Sequence, residues 1–370
     1  INELEEKANT AYNLPSVVLI DGKLDKSTLE DVFGQLIQRH ENLRTSFAVQ
    51  DGTPMQKVHE TIDFNIDFME GEYDELPKIM EGFIRPFDLS TGPLIRVGLV
   101  ELAEEKFALL LDMHHIISDG FSMNVMIGEF ISLYKGEKLP ELSVQYKDYA
   151  EWQQEFLESN DLKEQEKFWL ETFQEVPEPL NLPLDFKRPP VQSFEGSDYY
   201  KGISPELTCK LRTLASEKGT TVFNLMLAAY NLLLYKLSGN SEIVVGSPVS
   251  GRVHSDLENL LGIFINTLAF KNSIVGDEDF DTYLQKVNAN TLKALDHQEY
   301  PFEYLVEQLN IPRDLSRNPL FDTLFLYQHN VNEGGEILPG LKFSSYNFEK
   351  SSAQFDLTLE VREGLNEIGF

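Results

Sequence analysis

His114 and His115 stand side by side, and Asp119-Gly120 follows four residues after the second of them. These are residue types that move protons. Imidazole, with an ordinary pKa of about 6.5, accepts and donates a proton near neutrality. In an extended segment neighbouring side chains point to opposite faces, so the two rings cannot do the same job: one faces the core and the other a cavity. Asp119 lies far enough along the loop to turn back towards the strand. Gly120 permits a positive φ or a close backbone approach where a helix begins. On residue chemistry alone three roles stay open: proton transfer, a pair of satisfied structural histidines, or a metal site. Adjacent histidines are poorly placed to share one ion, and no third ligand cluster accompanies them, which disfavours the metal.

The elements around this run are readable from periodicity. Phe107–Met113, FALLLDM, is almost wholly apolar, as for a strand buried on both faces, and it delivers the chain to His114. Leu94–Val100 is a second strand, separated from it by the acidic turn Glu104-Glu105-Lys106. A helix follows over Ser122–Tyr134, ending at Gly136. Upstream, Leu29, Val32, Phe33, Leu36, Ile37 and His40 recur at helical spacing, with Asp25 or Ser27 as N-cap. Thr45–Val49 reads as a strand running into the turn Asp51-Gly52.

Length and composition set the frame. At 370 residues the chain is long for one hydrophobic core, so two lobes are expected. Residues 176–197 contain Pro177, Pro179, Pro183, Pro189 and Pro190, which exclude a long helix or central strand and predict an extended crossing between lobes 1–175 and 176–370. The second lobe reads as a strand near Tyr199–Ile203, helices over Pro205–Lys218 and Thr221–Leu237, and strands over Glu242–Gly246 and Ile263–Lys271. Helices over Phe280–His297 and Pro301–Leu309 follow, then strands at Phe321–Gln328, Phe355–Arg362 and Asn366–Phe370. The class is therefore α/β, of the α+β kind with mixed sheets, in both lobes. The opening INELEEKAN reads as a helix entered midway and the closing LNEIGF as a strand, so a piece of a longer chain is expected.

Lys and Arg number 31 against 61 Asp and Glu, a net charge of −30, which repels phosphate backbones and anionic membrane surfaces. Nucleic acid and membrane are poor partners for such a surface, and a phosphate-bearing substrate needs a local basic patch. The lone Cys209 cannot form an internal disulfide and suits the reducing cytoplasm. The longest apolar stretch, Val222–Leu237, is broken by Asn224, Tyr230, Asn231 and Lys236 and reads as a core helix rather than a membrane span.

Further motifs accompany the histidines. HHIISDGFSM after Met113 resembles the HHxxxDG signature of the condensation domains of nonribosomal peptide synthetases. Arg39–Phe47, RHENLRTSF, is similar to that family's RHExLRTxF segment, and Tyr146–Trp152, YKDYAEW, to its YxDFAxW segment. Leu261–Thr267 resembles GxFVNT, His297–Glu303 resembles HQDxPFE, and Arg313–Leu320 resembles RDxSRNPL. Six motifs in order span most of the chain. The family's first motif falls before residue 1 and its last sheet elements after Phe370.

The resemblance implies two chloramphenicol-acetyltransferase-like lobes arranged as a V-shaped pseudodimer, with a site in a tunnel between them and a carrier protein at each end. It implies peptide (amide) bond formation by attack of an acceptor amine on a donor thioester, the work of an acyltransferase in antibiotic biosynthesis. His115 is then the general base or the residue that positions the amine, and His114 shapes the loop. Asp119 holds the loop through an arginine, for which Arg39, Arg44 and Arg317 are the candidates, and Gly120 lets the backbone approach the thioester. Asn266 and Arg317 are tunnel candidates. No metal and no cofactor bound by the domain are implied; phosphopantetheine belongs to the partners. Those partners are upstream and downstream peptidyl carrier proteins and an adjacent adenylation domain, in a monomeric part of a larger cytoplasmic chain. A heterocyclisation relative would carry DxxxxD in place of His-His. IISDG and RHENLRTSF lean towards a donor of L configuration; an epimerisation-type relative stays open as an alternative, although RHENLRTSF and SRNPL look more like true condensation. The other readings are a coenzyme A- or carrier-dependent acyltransferase and a non-catalytic docking platform for carriers.

Overall fold

The computed structural model describes residues 10, 12–312, 314–329, 335–346 and 353–370. In chain order its elements are β1 (Asn13–Gly22), α1 (Lys26–Arg39), β2 (Thr45–Gln50), β3 (Thr53–Val58), β4 (Ile66–Glu70), α2 (Leu76–Phe83), β5 (Ile95–Ala103), β6 (Lys106–His114), α3 (Gly120–Tyr134), α4 (Tyr146–Leu157) and α5 (Asn160–Thr172). Then come α6 (Pro205–Glu217), α7 (Val222–Ser238), β7 (Glu242–Val249), β8 (Asn266–Ser273), α8 (Phe280–Leu295), α9 (Phe302–Gln308), β9 (Thr323–His329), β10 (Gly335–Leu338), β11 (Leu341–Ser345), β12 (Leu357–Glu363) and β13 (Ile368–Gly369).

The chain forms two compact units. The first takes residues 1–155, 252–264 and 333–348, and the second takes 156–251, 265–332 and 349–370. The division does not follow one cut near residue 175. Leu162, Trp169, Phe173 and Leu180 pack into the core of the second unit, so α5 and the start of the proline-rich stretch belong there. Residues 176–197 hold no helix and no strand, as their prolines require.

In the first unit a six-stranded mixed sheet has the order β10-β11-β1-β6-β5-β4. β6 is central, antiparallel to β1 and β5, while β4 runs parallel to β5. FALLLDM is buried on both faces, as its composition predicts. Leu111 and Met113 join the core under α1 and α3, and Ala108 and Leu110 join the opposite face with Leu76, Met80 and Phe83 of α2. α1 begins at Asp25, whose carboxylate accepts from the amides of Ser27 and Thr28, and it buries Leu29, Val32, Phe33, Leu36 and Ile37. Each such side chain contributes about 1.5–3 kcal/mol relative to exposure. The hairpin β2–β3 closes on Asp51-Gly52, with φ of 52° and 80°.

β1 is absent from the sequence reading because Pro15 lies inside it. The ring is tolerated there because β11 pairs only with Val18–Gly22, leaving that end of the strand with β6 as its described neighbour.

The second unit has a five-stranded sheet, β13-β12-β9-β7-β8, in which β9 runs parallel to β12 and to β7. α7 runs from its Thr221 cap to Gly239, whose φ of 75° ends it, and buries Leu225, Leu227, Ala228 and Leu234. The strand expected over Tyr199–Ile203 is reduced to a bridge, Gly202 to Gly369, because its partner β13 is only two residues long. The helix expected at the chain start and Arg313 lie outside the described residues.

Candidate active site

The histidine pair sits where the central strand stops. The His114 amide donates to Leu94 O at 3.0 Å and the His115 amide donates to Tyr12 O at 2.8 Å, so both neighbouring strands hold the strand end. His114 is the last residue of β6 and is buried, with the edge of Phe87 against it. Its Nδ1 accepts from the Ile116 amide at 3.1 Å, capping a short 3₁₀ turn over His115–Ile117. This hydrogen bond ties the ring to its own loop. His115 opens that turn and is half-buried. Its Nδ1 is enclosed and meets no hydrogen-bonding group among the described residues.

Asp119 is the N-cap of α3 and is fully buried. Its Oδ1 accepts from the Ser122 amide at 2.7 Å, from Ser122 Oγ at 2.8 Å and from Arg252 Nη2 at 3.4 Å. Its Oδ2 accepts from the Phe264 amide at 3.0 Å. Ser122 Oγ also lies 2.8 Å from Gly262 O, so its one proton is shared between that carbonyl and Asp119, and Arg252 Nη2 donates to Ser122 Oγ at 2.8 Å.

Arg252 packs over Phe264, 4.0 Å from its ring centre, and donates through Nη1 to Leu257 O and Leu260 O. Burial pulls its guanidinium below the ordinary arginine range, with Asp119 opposing. Tyr146 of α4 donates to Ile263 O at 2.9 Å and packs on Phe264, and burial pushes its phenol above the ordinary range. Gly262 has to be glycine here, since a Cβ would lie 2.1 Å from the Tyr146 ring. The HHIISDG, YKDYAEW and LGIFINT segments thus converge on the first turn of α3.

The arginine beside Asp119 is Arg252, which corrects the three candidates. Arg39 is taken by Glu129 of α3, at 3.0 Å through Nε, and by Pro140 O. His40 Nε2 lies 2.6 Å from the other oxygen of Glu129, so the two residues clamp α1 to α3. Arg44 donates to His59 O and lies 3.7 Å from Glu41. Arg317 pairs with Asp322 in the second unit. The contact to Asp119 is also single rather than a bidentate fork.

Within RHENLRTSF the residue that reaches the histidine loop is Asn42, which is buried and donates to Ile117 O at 2.7 Å. Asn266, at the start of β8 in the second unit, spends its amide on backbone. Nδ2 donates to Gln298 O and Tyr300 O, and Oδ1 accepts from the amides of Thr267 and Phe302. It anchors the HQEYPFE loop. Gly120 adopts no positive φ, and a Cβ there would meet no atom within 4 Å, so neither reason offered for it applies to the protein's own packing. Among the described residues no cluster of three or more His, Cys, Asp or Glu has metal-holding geometry, and no helix is long and apolar enough to cross a membrane.

A histidine pair at the end of a central strand, beside a helix capped by a buried aspartate, is set in a mixed sheet of the chloramphenicol-acetyltransferase-like fold. The whole chain, residues 1–370, matches the condensation domain model and belongs to that family, the amide-bond-forming acyltransferases of nonribosomal peptide synthetases. It is 47% identical over 366 residues to gramicidin S synthase 2 of Aneurinibacillus migulanus, covering 99% of this chain and 8% of that protein. It is 48% identical over 361 residues to tyrocidine synthase 3 of Brevibacillus parabrevis, covering 98% of this chain and 6% of that one. The chain thus spans a small fraction of these curated relatives. The solved condensation domain of the monacolin K polyketide synthase superposes with a TM-score of 0.87 at 20% identity, covering 97% of this chain and 86% of that chain, a likeness of fold.

Proposed function

We propose that this chain joins a donor aminoacyl or peptidyl thioester to the amine of an acceptor aminoacyl thioester, with His115 as the residue that meets the amine. Both groups arrive on phosphopantetheine arms of upstream and downstream peptidyl carrier proteins, and an adjacent adenylation domain supplies the activated acceptor. The domain works as one copy within a longer cytoplasmic chain, binds no organic cofactor or metal itself, and takes a donor of L configuration. The multidomain character of the curated relatives supports this setting.

The observation that carries the reading is the pinned end of β6. His115 is held through its backbone by Tyr12 O, while its ring makes no hydrogen bond among the described residues, so it is fixed in place and chemically unspent. The free amine attacks the thioester carbon, a C–N bond forms and the C–S bond breaks. The proton leaving nitrogen passes to His115 and on to the departing thiolate. Nδ1 is the enclosed nitrogen, so this exchange runs through Nε2. Among the described residues no acceptor holds an Nδ1–H, in contrast to the aspartate of a hydrolytic triad. The ring therefore aligns the amine by hydrogen bonding as well as carrying its proton. Asp119 takes no part in the transfer, because four donors occupy its two oxygens. Much of the rate comes from alignment of two tethered partners.

Gly120 opens α3 with free space where a side chain would stand, and we assign that space to the approaching thioester. Gly120→Ala leaves the unfolding midpoint unchanged or higher, alanine being the better helix former, while product formation falls. Full wild-type turnover in that variant removes the assignment. The reading as a whole is tested by supplying both carriers loaded with aminoacyl groups and weighing the carrier-bound products. A dipeptidyl mass on the downstream carrier is expected, and its absence with both carriers fully loaded counts against the proposal.

A further inference from the structure

We infer that Asp112, Arg96 and Asn13 are positioning residues for His115, an inference that rests on the role just proposed for that histidine. Asp112 is the polar exception in FALLLDM. It lies on β6 three residues before His115, in register with Pro15 of β1 and Arg96 of β5, and is fully buried. Asn13 Nδ2 donates to both of its carboxylate oxygens, at 3.0 and 2.8 Å, and Arg96 Nη1 donates to Oδ2 at 3.0 Å. The network also ties in the segment before β5. Arg96 donates to Arg85 O and, at 2.7 Å, to Pro86 O, and Asn13 donates to Arg85 O at 3.1 Å. The guanidinium lies 3.6 Å over the Phe87 ring, whose edge packs against His114.

These contacts converge on the strand end that carries the site. The residue next to Asn13 is Tyr12, whose carbonyl receives the His115 amide. The link from Asp112 to His115 is therefore one side-chain hydrogen bond, one peptide unit and one backbone hydrogen bond. Stability alone is a weak reason for such a group. The same sheet face carries Val17, Val100, Ala108 and Leu110, and a buried ion pair generally stabilises no better than apolar side chains of similar volume. Burial also raises the carboxyl of Asp112 and lowers the guanidinium of Arg96, each against its preferred charge. What the network supplies beyond apolar packing is direction: it locks three strands in one register at Asp112, two residues before His114.

The test is the double variant Arg96→Met/Asp112→Leu, which replaces the pair by apolar side chains, alongside the near-isosteric Asp112→Asn. With both carriers loaded, kcat is expected to fall by about 10²-fold, the scale of a small misplacement of a reacting group, with KM for both carriers and the unfolding midpoint unchanged in the double variant. Wild-type kcat in the double variant overturns the inference, and so does a loss of kcat that merely follows the folded fraction. The same pair is then placed in a His115→Ala background. No further loss there supports action through His115, since residues that act as a unit are non-additive. A full additional loss overturns this inference alone. Wild-type turnover in His115→Ala by itself overturns the reading beneath it.

Discussion

Replacing His115 with alanine lowers dipeptide formation on loaded carriers by about 10²–10⁴-fold, the range for loss of a positioned acid–base group. Stability hardly changes, because the half-buried ring makes no hydrogen bond among the described residues and the backbone bond to Tyr12 O survives the substitution. Carrier binding is retained. The measurement is a single-turnover reaction quenched over time and read by mass, with carrier affinity determined separately. Unchanged turnover with intact binding would leave a platform on which carriers meet and the ring does no chemistry.

Asp119→Ala gives the largest expected loss of stability, about 3–5 kcal/mol, the scale for stripping one partner from a buried charge pair. Arg252 would remain stacked on Phe264 and tied to Leu257 O and Leu260 O with its counter-charge gone. The cap of α3 and the acceptor for the Phe264 amide would go with it. Asp119→Asn keeps the size and part of the cap and loses about 1–3 kcal/mol. Arg252→Met loses less than Asp119→Ala, since the carboxylate keeps three other donors. Urea midpoints of the three variants give the order. An Arg252→Met loss equal to that of Asp119→Ala would mean the arginine, not the cap, carries the anchoring.

Much of the site was legible because it is encoded locally. An apolar run that ends in two histidines announces a buried strand delivering them to a loop, and β6 does this. Asp119 was legible as a loop anchor held by an arginine, whereas its role as N-cap of the helix that begins at Gly120 was not. The partner of Asp119 was not readable. Arg252 lies 133 residues away and follows no periodicity, whereas Arg39 and Arg44 stood out only by belonging to a motif. That motif does reach the loop, through Asn42, whose position just after a helix marks it as nothing more than a chain turn. β1 was hidden by Pro15, which local rules count against a strand and which the one-sided pairing at that end permits. The polar network under His114 left one trace, the aspartate inside FALLLDM, an anomaly that burial patterns flag without naming a partner.

The path of the backbone has a consequence for recombination. The polypeptide leaves the first unit after Glu155 and returns twice, bringing Arg252 on the first visit and β10 and β11 on the second. A single crossover between two such domains, placed anywhere from residue 156 to 251, would graft a foreign arginine segment onto the native Asp119 and foreign edge strands onto the native β1. Exchange of one unit intact therefore requires junctions in matched sets, and chimaeras joined at one point inherit a hybrid site whatever donor they came from.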